Sequence, residues 1–400
     1  MIELNETNVV EYLRQAGRIS SQGEVLVQPL ADETSENVVL KIFDTGGGAK
    51  VGTDTRSAAQ IQKGAPDKRM NEGACLVLKQ PEVVVGDERA LGGDETHSEL
   101  ALARMQVEKQ ALELLATLLP ENSVARVLWL DEENSILAMS CAPTEAIRLK
   151  RHLAAGAVSM DGAVHAAMLL AMLHSSTKKD ANAKQLFSDQ RFFVQKHLDP
   201  MIRAASQRNP AMARNLQDAA FRARSPLCLI HGDFSPENIL LVPAPPGAVP
   251  PPAVPVRGRQ GPLKPATGST ISHVMLVDFD TVFFGHNAYD VAKLIAELLL
   301  AGFLRGAKWR AFVMMSDSFW QTYRHTADPE LVKAAEVAGG RLLGAFLLGA
   351  VDGPFAMKEL VNKPELQSRV RLLGVEILKR QNMSLDEAID EASMRFDEPV

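Results

Sequence analysis

Residues 231–240 read His-Gly-Asp-Phe-Ser-Pro-Glu-Asn-Ile-Leu, and residues 277–280, beyond a proline-rich stretch, read Val-Asp-Phe-Asp. These carboxylates and this amide are the groups that phosphoryl transfer from ATP requires. The reaction asks little covalent chemistry of a protein. It needs a carboxylate to orient the attacking hydroxyl and accept its proton, and oxygen ligands for magnesium bridging the phosphates. An Asp followed five residues later by Asn, then an Asp after a strand, supplies those parts. On this reading Asp233 is the base, Asn238 and Asp278 hold Mg2+, and Asp280 adds a second carboxylate. The apolar runs Leu227–Ile230 and Val274–Val277 place both segments at strand ends, where a rigid scaffold presents loop side chains. His-Gly-Asp alone is a weak signal; the ten-residue block with its downstream Asp is a specific one. The plain alternative makes Asp233 and Asp278 turn residues and Asn238 a loop former.

Two further residues extend this chemistry. Lys79 ends the strand-like run Leu76-Val77-Leu78, so its ammonium is placed to meet ATP phosphates. Glu108 falls in the apolar stripe of the next helix, between Met105 and Leu112. A carboxylate on a buried face is costly unless paired, and pairing with Lys79 resolves that cost. Lys41, after Val38-Val39-Leu40, is the competing cation, but no helix with an inward carboxylate follows it directly. His231 orients the loop rather than moving protons. Asp290 starts a helix, where a carboxylate favours the positive end. Gly46-Gly47-Gly48-Ala49-Lys50 lacks phosphate-loop spacing and reads as a loop.

The elements that must position these groups follow from periodicity. A helix is expected from about Thr7, stopped by Gly17. Val25–Leu30 and Val38–Phe43 form a hairpin, Leu76–Lys79 a third strand, and Ser98–Leu119 a long helix. Val124–Leu130 and Ser135–Met139 form a second hairpin. Helices then dominate, at Asp161–Ser175, Gln190–Ala205, Met212–Ala223 and Ala288–Leu300, with a last one capped by Ser384 and Glu387. Strands early and helices late make an α+β chain. The expected division is residues 1–142, with a flexible insertion at about 44–73, and 143–400, with a Pro-rich insertion at about 243–270.

The 400 residues are 46% hydrophobic and 23% charged, ordinary for a globular chain. A net charge of -6 without a basic stripe argues against nucleic acid, and no polybasic patch suggests a membrane surface. The apolar run Val291–Leu304 is broken by Lys293 and Glu297 and is not read as a span. Cys75, Cys141 and Cys228 are odd in number and far apart, so they are expected to be unpaired thiols in a reducing, cytoplasmic setting.

The block HGDFSPENIL, then VDFD, then Gly285-His286-Asn287-Ala288-Tyr289-Asp290, resembles the aminoglycoside phosphotransferase and choline kinase superfamily. So does the helix 167–174, ending in Leu-His. The resemblance implies a protein-kinase-like fold with a small β-rich N-lobe and a larger helical C-lobe. It implies ATP contacted by the backbone of Met139, Ser140 and Cys141, with Asp290 supporting the catalytic loop. A nucleotide-binding turn ending in Ser-Asn is represented by Ser35 and Asn37, without the usual glycines. Within the superfamily the chain is most similar to methylthioribose kinases, through its Glu-Tyr-Leu helix, Leu78-Lys79-Gln80 and Trp320. It departs from them at Asp278-Phe279-Asp280, where they carry Asp-Pro-Glu, and in lacking their paired arginine near Arg341. The expected activity is a small-molecule kinase acting on a hydroxyl acceptor, such as a methylthioribose-like sugar. The alternatives are an amino alcohol or antibiotic kinase, or an inactive nucleotide-binding scaffold. A homodimer is compatible with the sequence.

Overall fold

Alternating apolar residues in three early strands demand a sheet with one face covered. A computed structural model of the chain describes residues 2–19, 23–30, 37–44, 75–81, 96–244, 271–353, 357–380 and 382–397. Of the expected insertions at about 44–73 and 243–270, residues 45–73 and 245–270 lie outside the described residues, as does Ser35, while Asp44 and Pro243 end strands. The chain divides into two units, Met1–Glu113 with Ala125–Thr144, and Leu114–Val124 with Glu145–Val400.

In the first unit, α1 (Val9–Gln15) ends at Gly17, whose φ of 64° is the left-handed turn that glycine allows. Five antiparallel strands follow: β1 (Val25–Pro29), β2 (Asn37–Asp44), β3 (Cys75–Pro81), β4 (Val127–Asp131) and β5 (Ile136–Ser140), in the order β1-β2-β3-β5-β4. Leu40, Ile42, Leu76, Leu78, Ile136 and Ala138 pack with Val9, Tyr12 and Leu13 of α1. Each buried Leu, Ile or Val among them contributes about 1.5–3 kcal/mol. The period of two then sends Lys79 to the opposite face from Leu76 and Leu78. Helix α2 (His97–Leu118) carries Glu108.

The cysteine expectation is overturned here. Cys75 and Cys141 form a disulfide, with Cα atoms 5.7 Å apart, and only Cys228 is free. The reason is register. Leu76 faces Ser140 across the β3–β5 pair, so the flanking cysteines meet although 66 residues separate them. With Cys75 and Cys141 paired, the cysteines no longer point to a reducing compartment.

The second unit is mainly helical. Strand β7 (Cys228–Ile230) pairs with β10 (Phe283–Gly285), while β8 (Ile239–Pro243) lies between β6 (Ile147–Arg148) and β9 (Ile271–Leu276). Around them pack α3 (Met160–Thr177), α4 (Ala288–Leu304), α5 (Trp309–Thr326), α6 (Pro329–Asp352) and α7 (Pro364–Lys379). Helix α6 alone among the described residues is long and apolar enough to cross a membrane, yet 72% of its apolar window is buried within the protein. The last helix, α8 (Leu385–Asp397), begins in a capping box: Ser384 N donates to Glu387 Oε2 at 2.8 Å, and Glu387 N to Ser384 Oγ at 3.2 Å.

Candidate active site

The loop from His231 to Asn238 runs between β7 and β8, whose residues are almost all buried, so both of its ends are anchored. Its start is held by one carboxylate. Asp290, in the first turn of α4, is fully buried and accepts from His231 N at 2.7 Å through Oδ2 and from Gly232 N at 3.0 Å through Oδ1. A chain of bonds holds Asp290 in turn. Asn287 Nδ2 donates to Tyr323 Oη (2.8 Å), and Tyr323 Oη meets His174 Nδ1 (2.9 Å). His174 Nε2 then meets Asp290 Oδ2 (3.2 Å). Burial pushes the Tyr323 hydroxyl well above its ordinary range, so it remains a donor and sets the imidazole tautomer. His174, read from sequence as a structural histidine, is the middle member.

Gly232 has φ of 82°, and a Cβ there would lie 2.4 Å from the Thr281 carbonyl oxygen. Only glycine fits both demands. His231 is locked at both nitrogens: Nδ1 accepts from Asp233 N (3.3 Å) and Nε2 donates to Val277 O (3.0 Å). It thus ties this loop to the strand before Asp278 and has no nitrogen left for proton transfer.

Asp233 is gripped at both carboxylate oxygens. Asn238 Nδ2 donates to its Oδ2 at 2.9 Å and to its backbone oxygen at 3.0 Å. Lys293 Nζ lies 3.2 Å from Oδ1. Burial raises the Asp233 carboxyl, but Lys293 first, then His197, His231 and Lys196, outweigh it and hold it well below the usual carboxylate range. Asp233 is therefore ionised at neutral pH.

Asn238 spends its amide nitrogen on Asp233, which leaves its amide oxygen as the group of that side chain able to accept or to ligate. Val277 N donates to Asn238 O at 3.1 Å, bringing the backbone at Asp278 beside Asn238. Asp278 has φ of 67°, a conformation rare outside glycine and concentrated at functional sites. Asp280 is buried and has Lys196 Nζ 3.4 Å from its Oδ2, so an ion pair already engages it. No cluster of three His, Cys, Asp or Glu that could hold a metal occurs among the described residues. An all-oxygen set of one amide and one or two carboxylates fits magnesium, which completes its shell with water and phosphate oxygens.

In the first unit, Lys79 Nζ lies 2.6 Å from Glu108 Oε2, and both residues are buried. Lys41 instead has its Nζ 4.8 Å from the centre of the Phe43 ring. Asn37 accepts from Arg104 at 3.3 Å. Met139 faces Val77 across the sheet, and Ser140 exchanges bonds with Arg126: its N–H donates to Arg126 O and its Oγ accepts from Arg126 N, each at 2.9 Å. Replacing Lys79 with Met strands Glu108 in the interior, a loss of about 3–5 kcal/mol. The paired variant Lys79→Met with Glu108→Leu removes both charges. It is expected to recover most of the unfolding midpoint and none of the ATP-dependent activity. Recovery of both would show that the pair serves stability alone.

Sequence reasoning missed Lys293, Glu297, Lys196 and His197. Lys293 and Glu297 were visible only as interruptions of an apolar run. Their signal is position: three and seven residues after Asp290, one helical turn apart, on a helix otherwise mostly buried. Lys196 and His197 sit on a π-helical turn, Val194–Leu198, a geometry frequent at functional sites. Arg341 pairs with Asp218.

Residues 71–249 match the model of the phosphotransferase enzyme family APH. The match takes in Lys79, Glu108, Asp233 and Asn238; Asp278, Asp280 and Asp290 follow it. No curated protein matches the chain. Among solved structures, an ethanolamine kinase of Plasmodium vivax is 14% identical, with 99% of this chain and 89% of that one covered and a TM-score of 0.49. A choline/ethanolamine kinase family protein of Mesorhizobium loti is 11% identical, covering 94% of each chain, with a TM-score of 0.43. An aminoglycoside phosphotransferase of Alicyclobacillus acidocaldarius is 11% identical, covering 99% and 98%, with a TM-score of 0.43.

Proposed function

We propose that this chain transfers the terminal phosphoryl group of ATP to a hydroxyl of a small metabolite, with magnesium. The observation that carries the reading is the Asp233 carboxylate, ionised and held by Asn238 and Lys293 on a loop pinned by Asp290. The family match over residues 71–249 supports the same class of reaction. Asp233 aligns the acceptor hydroxyl and takes its proton late, which suits a base whose affinity for protons is low. Asn238 and Asp278 are the residues that would hold the cation, with Asp280 beside them. Magnesium, when bound, neutralises phosphate charge and the charge that develops in transfer. Lys79, oriented by Glu108, supplies a fixed ammonium for the nucleotide phosphates.

The finer reading is a methylthioribose-like sugar as acceptor. The test is ADP formation by the full chain across sugars, amino alcohols and aminoglycosides, with and without EDTA. Turnover should depend on one acceptor class and vanish with EDTA. Magnesium-ATP binding without turnover on any compound would favour an inactive nucleotide-binding protein instead.

A further inference from the structure

The period of two sorts the residues of β3 and β5 between two faces. Leu76, Leu78, Ile136 and Ala138 pack with α1. Cys75, Val77 and Lys79 take the other face, in a row with their neighbours on β5: Lys79 faces Leu137, and Val77 faces Met139. Cys141 comes next in that row, and its disulfide to Cys75 closes it. The disulfide therefore lies on the face that carries Lys79, about 13 Å away along β3 at the rise of an extended strand.

The two ends of this bond are held unequally. Cys75 begins β3, a strand paired on both sides, and faces Phe43 of β2. Cys141 follows Ser140, the last residue of β5. Ala142 and Pro143 come next, and a proline cannot donate to a ladder. The disulfide thus carries the hold of the sheet one residue past the β3–β5 ladder, close to Thr144, where this stretch of the first unit ends. Both cysteines are half-buried, so the bond is not sealed in a core. Cys228, the third cysteine of the chain, is fully buried, and burial pushes its thiol well above the ordinary range. A thiol kept protonated does not attack a disulfide, so the pair opens and closes without a third sulfur to capture it.

Resting on the role proposed above for Lys79, we infer that Cys75–Cys141 is a reversible redox site that regulates nucleotide binding. The reductant is a dithiol. One of its thiolates attacks a sulfur of the pair, the S–S bond breaks, and the other cysteine leaves as a thiolate that takes a proton. The second thiol of the reductant then displaces the first cysteine and closes the reductant's own disulfide. Two electrons and two protons have passed to the protein. In the oxidised form the row from Lys79 to Cys141 is one fixed surface. In the reduced form Cys141 and the residues after it lose their covalent tie to β3 and are ordered for only part of the time. Apparent nucleotide affinity falls by that fraction.

The experiment compares the full chain oxidised, reduced with dithiothreitol and re-oxidised, beside Cys75→Ser and Cys228→Ser. Native thiol titration counts the opened bond, calorimetry gives magnesium-ATP affinity, and amide hydrogen exchange follows residues 140–146. Dithiothreitol should expose two thiols in the folded chain, speed exchange at 140–146 and weaken magnesium-ATP binding about tenfold, the effect of a binding-competent state populated about one tenth of the time. Re-oxidation should reverse all three. Cys75→Ser should bind as the reduced form does and ignore dithiothreitol, and Cys228→Ser should respond as wild type does. Resistance of the bond to dithiothreitol in the folded chain overturns the inference. So does equal affinity in the two forms, and so does global unfolding on reduction, seen in far-UV circular dichroism, which would make the bond a structural staple. If Cys75→Ser does not fold, the reversal in wild type decides. Absence of magnesium-ATP binding in both forms removes the kinase reading and the regulation of binding with it. Reversible exchange at 140–146 beside intact binding that ignores redox state leaves the kinase reading standing and overturns this inference alone.

Discussion

Asp233→Ala is expected to fold normally and to lose phosphotransfer by about 10²–10⁴-fold, the range for a positioned general base. Its fold should survive because the loop hangs from Asp290 and His231, not from the Asp233 side chain. Removing the carboxylate leaves Lys293 paired with Glu297, so no ammonium is stranded. Asp233→Asn is the sharper variant, since it keeps the shape and the Asn238 contact region but cannot take a proton. Steady-state kinetics on the preferred acceptor, with magnesium-ATP binding measured alongside, checks both. Nucleotide affinity should hold within a few-fold, because the assigned cation ligands remain. Activity equal to wild type in Asp233→Asn would remove Asp233 from the base role.

The parts of this protein that were readable in its sequence are those governed by local rules. Leu76 and Leu78 alternate with Val77 and Lys79, which announces both a strand and the face each residue takes. Ser384 and Glu387 announce a helix start at three-residue spacing. The order His-Gly-Asp to Asn announces a loop whose own backbone brings carboxylate and amide together, and Asn238 does reach back to Asp233. The unreadable parts depend on contacts distant in sequence. Cys75 meets Cys141 only because β3 pairs with β5 in one register, and a shift of one residue would put them on different faces. The bonds from Tyr323 through His174 to Asp290 join three helices, and no periodicity marks their partners. Strand β10, three residues long and wholly buried, has no alternation to betray it. The expected helix 190–205 is interrupted by the π turn at Val194–Leu198, and an extra residue per turn leaves no mark in composition. Lys293 belongs with these: its meaning is set by Asp233, sixty positions earlier in the chain.

Asp290→Ala is expected to lower stability and activity together, which separates it from Asp233→Ala. Its carboxylate accepts from two backbone N–H groups and one imidazole, all buried. Removing it orphans all three, and each buried unsatisfied donor costs about 1–3 kcal/mol. Even with partial relaxation the loss is on the order of 4 kcal/mol, at the upper end for a single substitution. Gly232 sits at a positive φ with Thr281 O pressed against it, so the backbone there has one well-fitted arrangement to lose. Once His231 N and Gly232 N are released, the loop keeps the His231 ring and the Asn238 contacts but loses the anchor at its start, and a misplacement of Asp233 by about 1 Å costs about a hundredfold in rate. Asp290→Asn should fall between wild type and Ala. Its amide oxygen can serve one backbone donor, but its NH₂ then points at the other, donor against donor. Chemical denaturation should rank the midpoints wild type, Asn, Ala, and kcat should follow the same order with nucleotide KM moving little. If Asp290→Ala keeps the wild-type midpoint and turnover, the loop is placed by its flanking strands alone, and the Asn287–Tyr323–His174–Asp290 chain has no part in presenting the base.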